Sequence, residues 1–204
     1  MARRGGSGSW QWSRTAETRE VLLNAAREVF CAKGFAEAGI AEVVERANSS
    51  VGSLYHHFGG KAELFLALWE QHQDAHEDGA TSAVARAREA GEQDPLELFI
   101  VGTRAFLESS WRRADLVRLF MDGSGPPGFD TVRRARGRRW LRQNSLLLGA
   151  GSAPVERLTV GVLTTIIGEA GREVATSANK REANKIINAT DALIRRLDPL
   201  NLPD

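Results

Sequence analysis

Apolar residues recur three and four positions apart along most of the chain, the spacing of one face of an α-helix. No stretch sustains the alternation of a half-buried strand, so the pattern predicts an all-α protein. The first helix is expected over about residues 15–33, with Leu22, Ala26, Val29 and Phe30 on one side and Gly34 just past its end. A short helix near 39–47 carries Ile40, Val43 and Val44. Asn48, Ser49 and Ser50 follow. Asn tolerates the left-handed backbone of a tight turn, and Ser at a helix start accepts an orphan N–H, so a third helix is predicted over Val51–His57. Gly59 and Gly60 break it, and a fourth, over about 61–77, carries Leu64, Phe65, Leu68 and Trp69. Further helices are expected near 80–91, 95–110, 113–121, 129–149, 154–177 and 179–197. Residues 1–13, mostly Gly, Ser and Arg with two tryptophans, read as a disordered arm.

Two short helices joined by a tight turn form a helix-turn-helix. Its second helix has to enter a major groove about 12 Å wide, so its outward face must be small or hydrogen-bonding. Ser49, Ser50, Val51, Ser53 and His56 suit that face, and Leu54 and Phe58 suit the inward one. At these residues the chain resembles the TetR family of transcriptional repressors. The matching positions are Glu45-Arg46-Ala47, then Ser50-x-Gly52-Ser53-Leu54-Tyr55-x-His57-Phe58, then Lys61-x-x-Leu64. The stretch Ala25-Ala26-x-x-Val29-Phe30-x-x-x-Gly34-Phe35 resembles the family's first helix. Where the family usually has Thr at the start of the second helix, this chain has Gly39.

The resemblance implies an N-terminal three-helix DNA-binding domain, over residues 14–60, and a larger helical effector-binding and dimerisation domain over 61–204. By chemistry and by that likeness, Tyr55, His57 and Lys61 are expected at phosphates, with Ser50, Val51 and Ser53 at base edges. The helix over 154–177 is apolar on more than one side, with Leu158, Val162 and Ile166 in one row and Val160, Leu163 and Ile167 in another. Such a helix needs cover on both sides. Gly161 and Thr165 are small enough for close helix approach. The last helix sets Ile186, Thr190, Leu193 and Leu197 in a row. These two helices are expected to pair with their symmetry mates in a homodimer, as the resemblance also implies. Phe99, Phe106, Trp111, Phe120, Met121 and Trp140, with Leu163 and Ile167, are the expected walls of a pocket for an unknown small-molecule effector. Arg104, Asn144, Thr164 and Glu169 are candidates for orienting it.

Composition narrows the classes. Charged residues make up 26% and hydrophobic ones 42% of 204 residues, enough apolar mass for a real core. The net charge of +1 hides segments of +2 (1–62), −7 (63–111), +6 (112–142) and 0 (143–204). A single cysteine, Cys31, rules out a disulfide framework. The longest near-apolar run, Leu158–Ile167, is too short to span a bilayer, and Gly and Ser follow Arg3 and Arg4 where a signal peptide needs apolar residues. No membrane partner and a cytoplasmic location are therefore expected. His72 and His76 are four apart, but without an evident third ligand they read as exposed histidines, and no metal or cofactor is expected. Gly123, Gly125 and Gly128 match a dinucleotide-binding spacing, yet Pro126 and Pro127 remove the backbone donors that would cradle a phosphate. The run Arg133–Arg139 reads as a solvated face, with an anionic effector or a protein partner as alternatives. The reading is a non-enzymatic, ligand-responsive repressor that binds a pseudo-palindromic double-stranded operator as a homodimer. The alternative is a helical DNA-binding or interaction protein without small-molecule control.

Overall fold

The computed structural model describes residues 7–197, with side chains from residue 15 onward. Every regular element among the described residues is a helix. In order they are α1 (Ser7–Glu37), α2 (Ile40–Arg46), α3 (Val51–Phe58), α4 (Lys61–Glu89), α5 (Pro95–Arg112), α6 (Ala114–Met121), α7 (Phe129–Leu148), α8 (Pro154–Thr176) and α9 (Lys180–Leu197).

Two boundaries differ from the sequence reading. Helix α1 starts at Ser7, inside the segment expected as an arm, while Met1–Gly6 lie outside the described residues. The expected helices 61–77 and 80–91 are one helix that runs through Gly79. A glycine inside a helix costs about 1 kcal/mol, which the packing of the rest of α4 has to offset. Gly137 likewise lies inside α7, so the arginine run is helical throughout.

The chain divides into two compact units. The first takes the residues up to Gln71 together with Leu119–Pro126, beyond the 14–60 span expected. The reason is aromatic packing. Phe65, on the first turns of α4, is fully buried and meets Phe30, Phe35 and Phe120 edge-on, with centroids 5.4, 5.1 and 5.2 Å away. Trp69 meets Phe120 at 5.0 Å. Full burial of one such ring contributes about 1.5–3 kcal/mol. Phe120, expected in an effector pocket, is therefore a core residue of the first unit, and Met121 beside it is 37% exposed. The first α1 segment ends at Gly34, whose φ of +73° few side chains adopt.

In the second unit α5 packs on α7, α8 and α9. One apolar cluster joins Phe99, Ile100, Leu148, Val160, Leu163, Ile167 and Ile194. Another joins Leu107, Ala170, Val174, Ala183 and Ile187, with Trp111 and Phe106 against it. Phe99, Leu163 and Ile167 were expected as pocket walls, and here they close on one another as core. A Cβ on Gly171 of α8 would lie 3.1 Å from Phe106 Cε1, so the glycine lets α8 and α5 approach closely.

Candidate functional site

The reading head is built locally. Asn48 adopts φ 45°, the left-handed turn that frees α3 from α2. Ser50 caps α3 by accepting the Ser53 N–H at 3.1 Å, and Gly59 ends the helix with φ 91°. Leu54 is fully buried beneath, which pins the opposite face outward. That face carries Val51 and Tyr55, 48% and 52% exposed, with His56 and Gly52 also exposed. Ser49, Ser53 and His57 are half-buried at its margin. The Ser50 hydroxyl oxygen is engaged in the cap, which leaves its O–H as a donor.

Lys61, expected to meet phosphate, also has a structural duty, and Arg19 has one of its own. Lys61 Nζ donates to the Ala36 carbonyl at 2.9 Å and sits 4.8 Å over the Phe35 ring, bracing the end of α1. The Arg19 guanidinium lies 5.2 Å over Phe58. On α2, Glu42 accepts from Lys33 at 2.6 Å and pairs with Arg46 at 3.4 Å. The Lys33 hydrogen bond, aided by the charges of Lys33 and Arg46, holds the Glu42 carboxyl below the usual range against the opposing effect of burial. This acid beside the reading head is thus matched by neighbouring cations.

In the second unit the expected exposed histidines are buried: His72 is 3% and His76 2% exposed. Sequence spacing reported the shared helix face and nothing of its cover. Partners assign the tautomers. Arg113 Nε–H donates to His72 Nδ1 at 3.2 Å, so a neutral His72 carries its proton on Nε2. That Nε2–H faces His76 Nε2 at 3.2 Å, which must accept, and the His76 proton sits on Nδ1. His76 Nδ1 is buried and has no hydrogen-bond partner. Burial first, then the charges of Arg113, Arg112 and Arg136, lower the His76 pKa from 6.5 to about 4. The arrangement opposes a metal between the two rings. A metal on His72 Nε2 calls for an acceptor at its Nδ1, and an arginine donor occupies that place. Among the described residues, no group of three metal-type ligands forms.

His76 also belongs to a ladder of rings. It lies 4.4 Å from His72 and 4.6 Å from Phe106, and Phe106 lies 5.7 Å from Trp140, centroid to centroid. Next to it, Glu77 accepts from Arg136 at 2.7 Å, Arg139 at 2.8 Å and Gln143 at 2.5 Å. Burial alone would raise the Glu77 pKa, but the bonds from Gln143 and Arg139 and the charges of Arg136 and Arg139 hold it low. Part of the arginine run therefore ties α7 to α4 rather than forming a wholly solvated face. Of the candidate orienting residues, Asn144 donates to Thr164 at 2.9 Å, Arg104 pairs with Asp191 at 2.5 Å, and Glu169 pairs with Arg172 on the surface.

The two rows predicted on α8 separate as expected. Val160, Leu163 and Ile167 are buried, while Leu158 and Val162 are 66% and 44% exposed, Thr165 is exposed, and Gly161 and Ile166 are half-buried. On α9, Leu193 and Leu197 are 52% and 45% exposed and Ile186 is half-buried. Thr190 departs from its row. It is 3% exposed and donates to the Ile186 carbonyl at 2.8 Å. It falls in step with Ala183, Ile187 and Ile194, the side of α9 that its own unit covers.

A capped, outward-facing α3 set behind a left-handed turn defines a helix-turn-helix DNA-binding protein. Residues 22–68 match the model for bacterial regulatory proteins of the tetR family, which identifies this helix-turn-helix segment as that of a TetR-family transcriptional regulator. It is 26% identical over 196 residues to the HTH-type transcriptional repressor AcnR of Corynebacterium glutamicum, covering 89% of this chain and 94% of that one. It is 43% identical over 68 residues to the HTH-type transcriptional activator FasR of Mycolicibacterium smegmatis, but spans only 31% of FasR's length and 33% of its own. A transcriptional regulator of Rhodococcus sp. RHA1 shares the fold, with a TM-score of 0.68 over 87% of this chain and 94% of that one at 22% identity. None of the helices among the described residues is long and apolar enough to cross a membrane.

Proposed function

We propose that this protein is a cytoplasmic, ligand-responsive repressor that acts as a homodimer on a pseudo-palindromic operator. The observation that carries the DNA-binding part is the exposed α3 face of Val51, Gly52, Tyr55 and His56, backed by the buried Leu54. Val51 meets a thymine methyl, Ser50 and Ser53 reach base edges, and Tyr55, His57 and Lys61 position the backbone. Such readout discriminates modestly, so two heads on major grooves about 34 Å apart supply the specificity. The apolar strip of Leu158, Val162, Leu193 and Leu197 supports a dimer, because it is left uncovered within one chain. The near full-length likeness to a repressor supports that sign of regulation.

The ligand acts by binding one dimer state better than another, and its differential affinity sets the loss of DNA binding. Phe106 and Trp140 are expected pocket residues that the second unit brings into ring contact; both are partly buried, and Phe106 also packs against the unit's two apolar clusters. Helix α4 has residues in both units and is the element through which the change passes. Footprinting on genomic fragments tests the reading. The wild type is expected to sediment as a dimer and protect a palindrome, and Tyr55→Phe is expected to weaken binding about tenfold through one lost phosphate bond. A double Leu158→Glu, Val162→Glu variant is expected to sediment as a monomer. A wild-type monomer, or full binding by a Tyr55→Phe, Ser53→Ala double variant, would overturn it.

A further inference from the structure

The second unit buries polar atoms that have nothing to bond. His76 Nδ1, Thr103 Oγ1, Arg136 Nε and Gln143 Oε1 all lack a hydrogen-bond partner. They come from α4, α5 and α7, and the ring ladder from His76 through Phe106 to Trp140 joins the same three helices. An orphaned buried N–H carries the full cost of its desolvation, so a native structure that keeps one has something to fill it. The His76 proton is held on the unpaired nitrogen by the two preceding links, Arg113 to His72 and His72 to His76. A bare acceptor at that position would turn away the same molecules that this donor welcomes.

We infer that His76 Nδ1–H is the polar anchor of the effector site, and that the effector is a flat, largely apolar organic acid whose carboxylate accepts that proton while its body lies along Phe106 and Trp140. The inference rests on the ligand-responsive reading above. The apolar body follows from the rings: Phe106 and Trp140 are only partly buried, so apolar ring surface is left to cover. The carboxylate follows from the donor and its field. His76 is neutral and can only donate from Nδ1, and the charges of Arg112, Arg113 and Arg136 that disfavour a proton there favour an anion. The hydroxyl of Thr103, on α5, is also buried and unpaired. No proton is transferred on binding, and Arg113 acts through His72 as a positioning residue.

The test uses the full chain and two probes of one shape, 2-naphthoate and 2-methylnaphthalene, measured by calorimetric titration at neutral pH. Both are expected to bind the wild type, with the acid tighter by about tenfold or more, the worth of a hydrogen bond to a charged acceptor. His76→Asn keeps an amide N–H near the Nδ1 position and is expected to keep the preference. His76→Gln places its amide near Nε2, leaves the His72 proton an acceptor, removes the Nδ1 donor, and is expected to abolish the preference while 2-methylnaphthalene binds as before. Circular dichroism and thermal melting confirm that both variants fold. In the wild type, the His76 Nδ1 proton resonance is expected to move downfield on addition of 2-naphthoate only. Equal binding of the two probes to the wild type, or a preference that survives in His76→Gln, would overturn the anchor and leave the ligand-responsive reading standing. An Nδ1 proton that stays on a bound water throughout the titration overturns it too. Failure of either probe to bind the wild type would remove the pocket reading itself.

Discussion

The two units are filled by opposite means. Among the described residues, the buried side chains of the first are apolar, and its aromatic core closes around Phe65. The buried polar residues among those described, from His72 and His76 to Asn144 and Thr190, lie in the second, and His76 Nδ1 and Thr103 Oγ1 have no hydrogen-bond partner. The first has one such atom, Ser124 Oγ, in its Leu119–Pro126 segment. A reading head works by holding a fixed surface, so an apolar, aromatic core beneath α3 suits it. An interior with unmet polar groups is less stable than it could be, and that shortfall is recovered when a matching molecule enters. On the proposed reading, the contrast separates a part that stays the same from a part that responds to a ligand.

The sharpest way to break this contrast is to open the first core. Phe65→Ala is expected to cost about 3–5 kcal/mol in urea denaturation and to abolish operator binding. A loss under about 1 kcal/mol would mean that the ring packing does not carry the head. The next effect belongs to His76. Its folded pKa of about 4 lies below the ordinary 6.5, so between those values the unfolded chain binds a proton that the folded chain does not. Stability is then complete above pH 6.5 and is lost as pH falls towards 4, by roughly 3 kcal/mol. Equilibrium melts across that range are expected to show a slope that His76→Gln lacks.

Two smaller effects probe the polar interior and the head separately. Thr103→Val keeps the shape and removes an orphaned hydroxyl, so thermal melting is expected to show a gain of up to about 1 kcal/mol. A loss would show that the hydroxyl is satisfied and that the interior is less frustrated than its geometry says. Gly39 caps α2 with no side chain, has an extended backbone (φ −105°, ψ 138°), and nothing lies within 4 Å of an added Cβ. Gly39→Ser is expected to stabilise by a few tenths of a kcal/mol, read as a small rise in Tm.

Much of the reading head was legible because its signals are local. Asn48 in the turn, Ser50 at the cap and Gly59 at the helix end each answer a backbone requirement set within three or four residues. The rows of α8 were legible for the same reason, since helical period alone separates Leu158 and Val162 from Val160 and Leu163. The second unit's interior was not. His72 and His76 looked like surface residues because nothing in α4 announces that Phe106 and Arg113 cover them. Phe120 looked like a pocket wall because the first turns of its helix, up to Arg118, belong to the second unit, while its ring meets Phe65 and Trp69 in the first. Thr190 shares its helix row with exposed leucines by one count and with buried isoleucines by another, and only the packing of α9 chooses.

Taken by itself, then, the amino-acid order determined the helices, the turn and cap of the reading head, and its outward chemistry, because hydrogen bonds within a few residues settle all of these. Tertiary structure alone decided which polar atoms end up buried and without partners. Desolvation depends on what neighbouring helices bring across from far along the chain, and no local period records that.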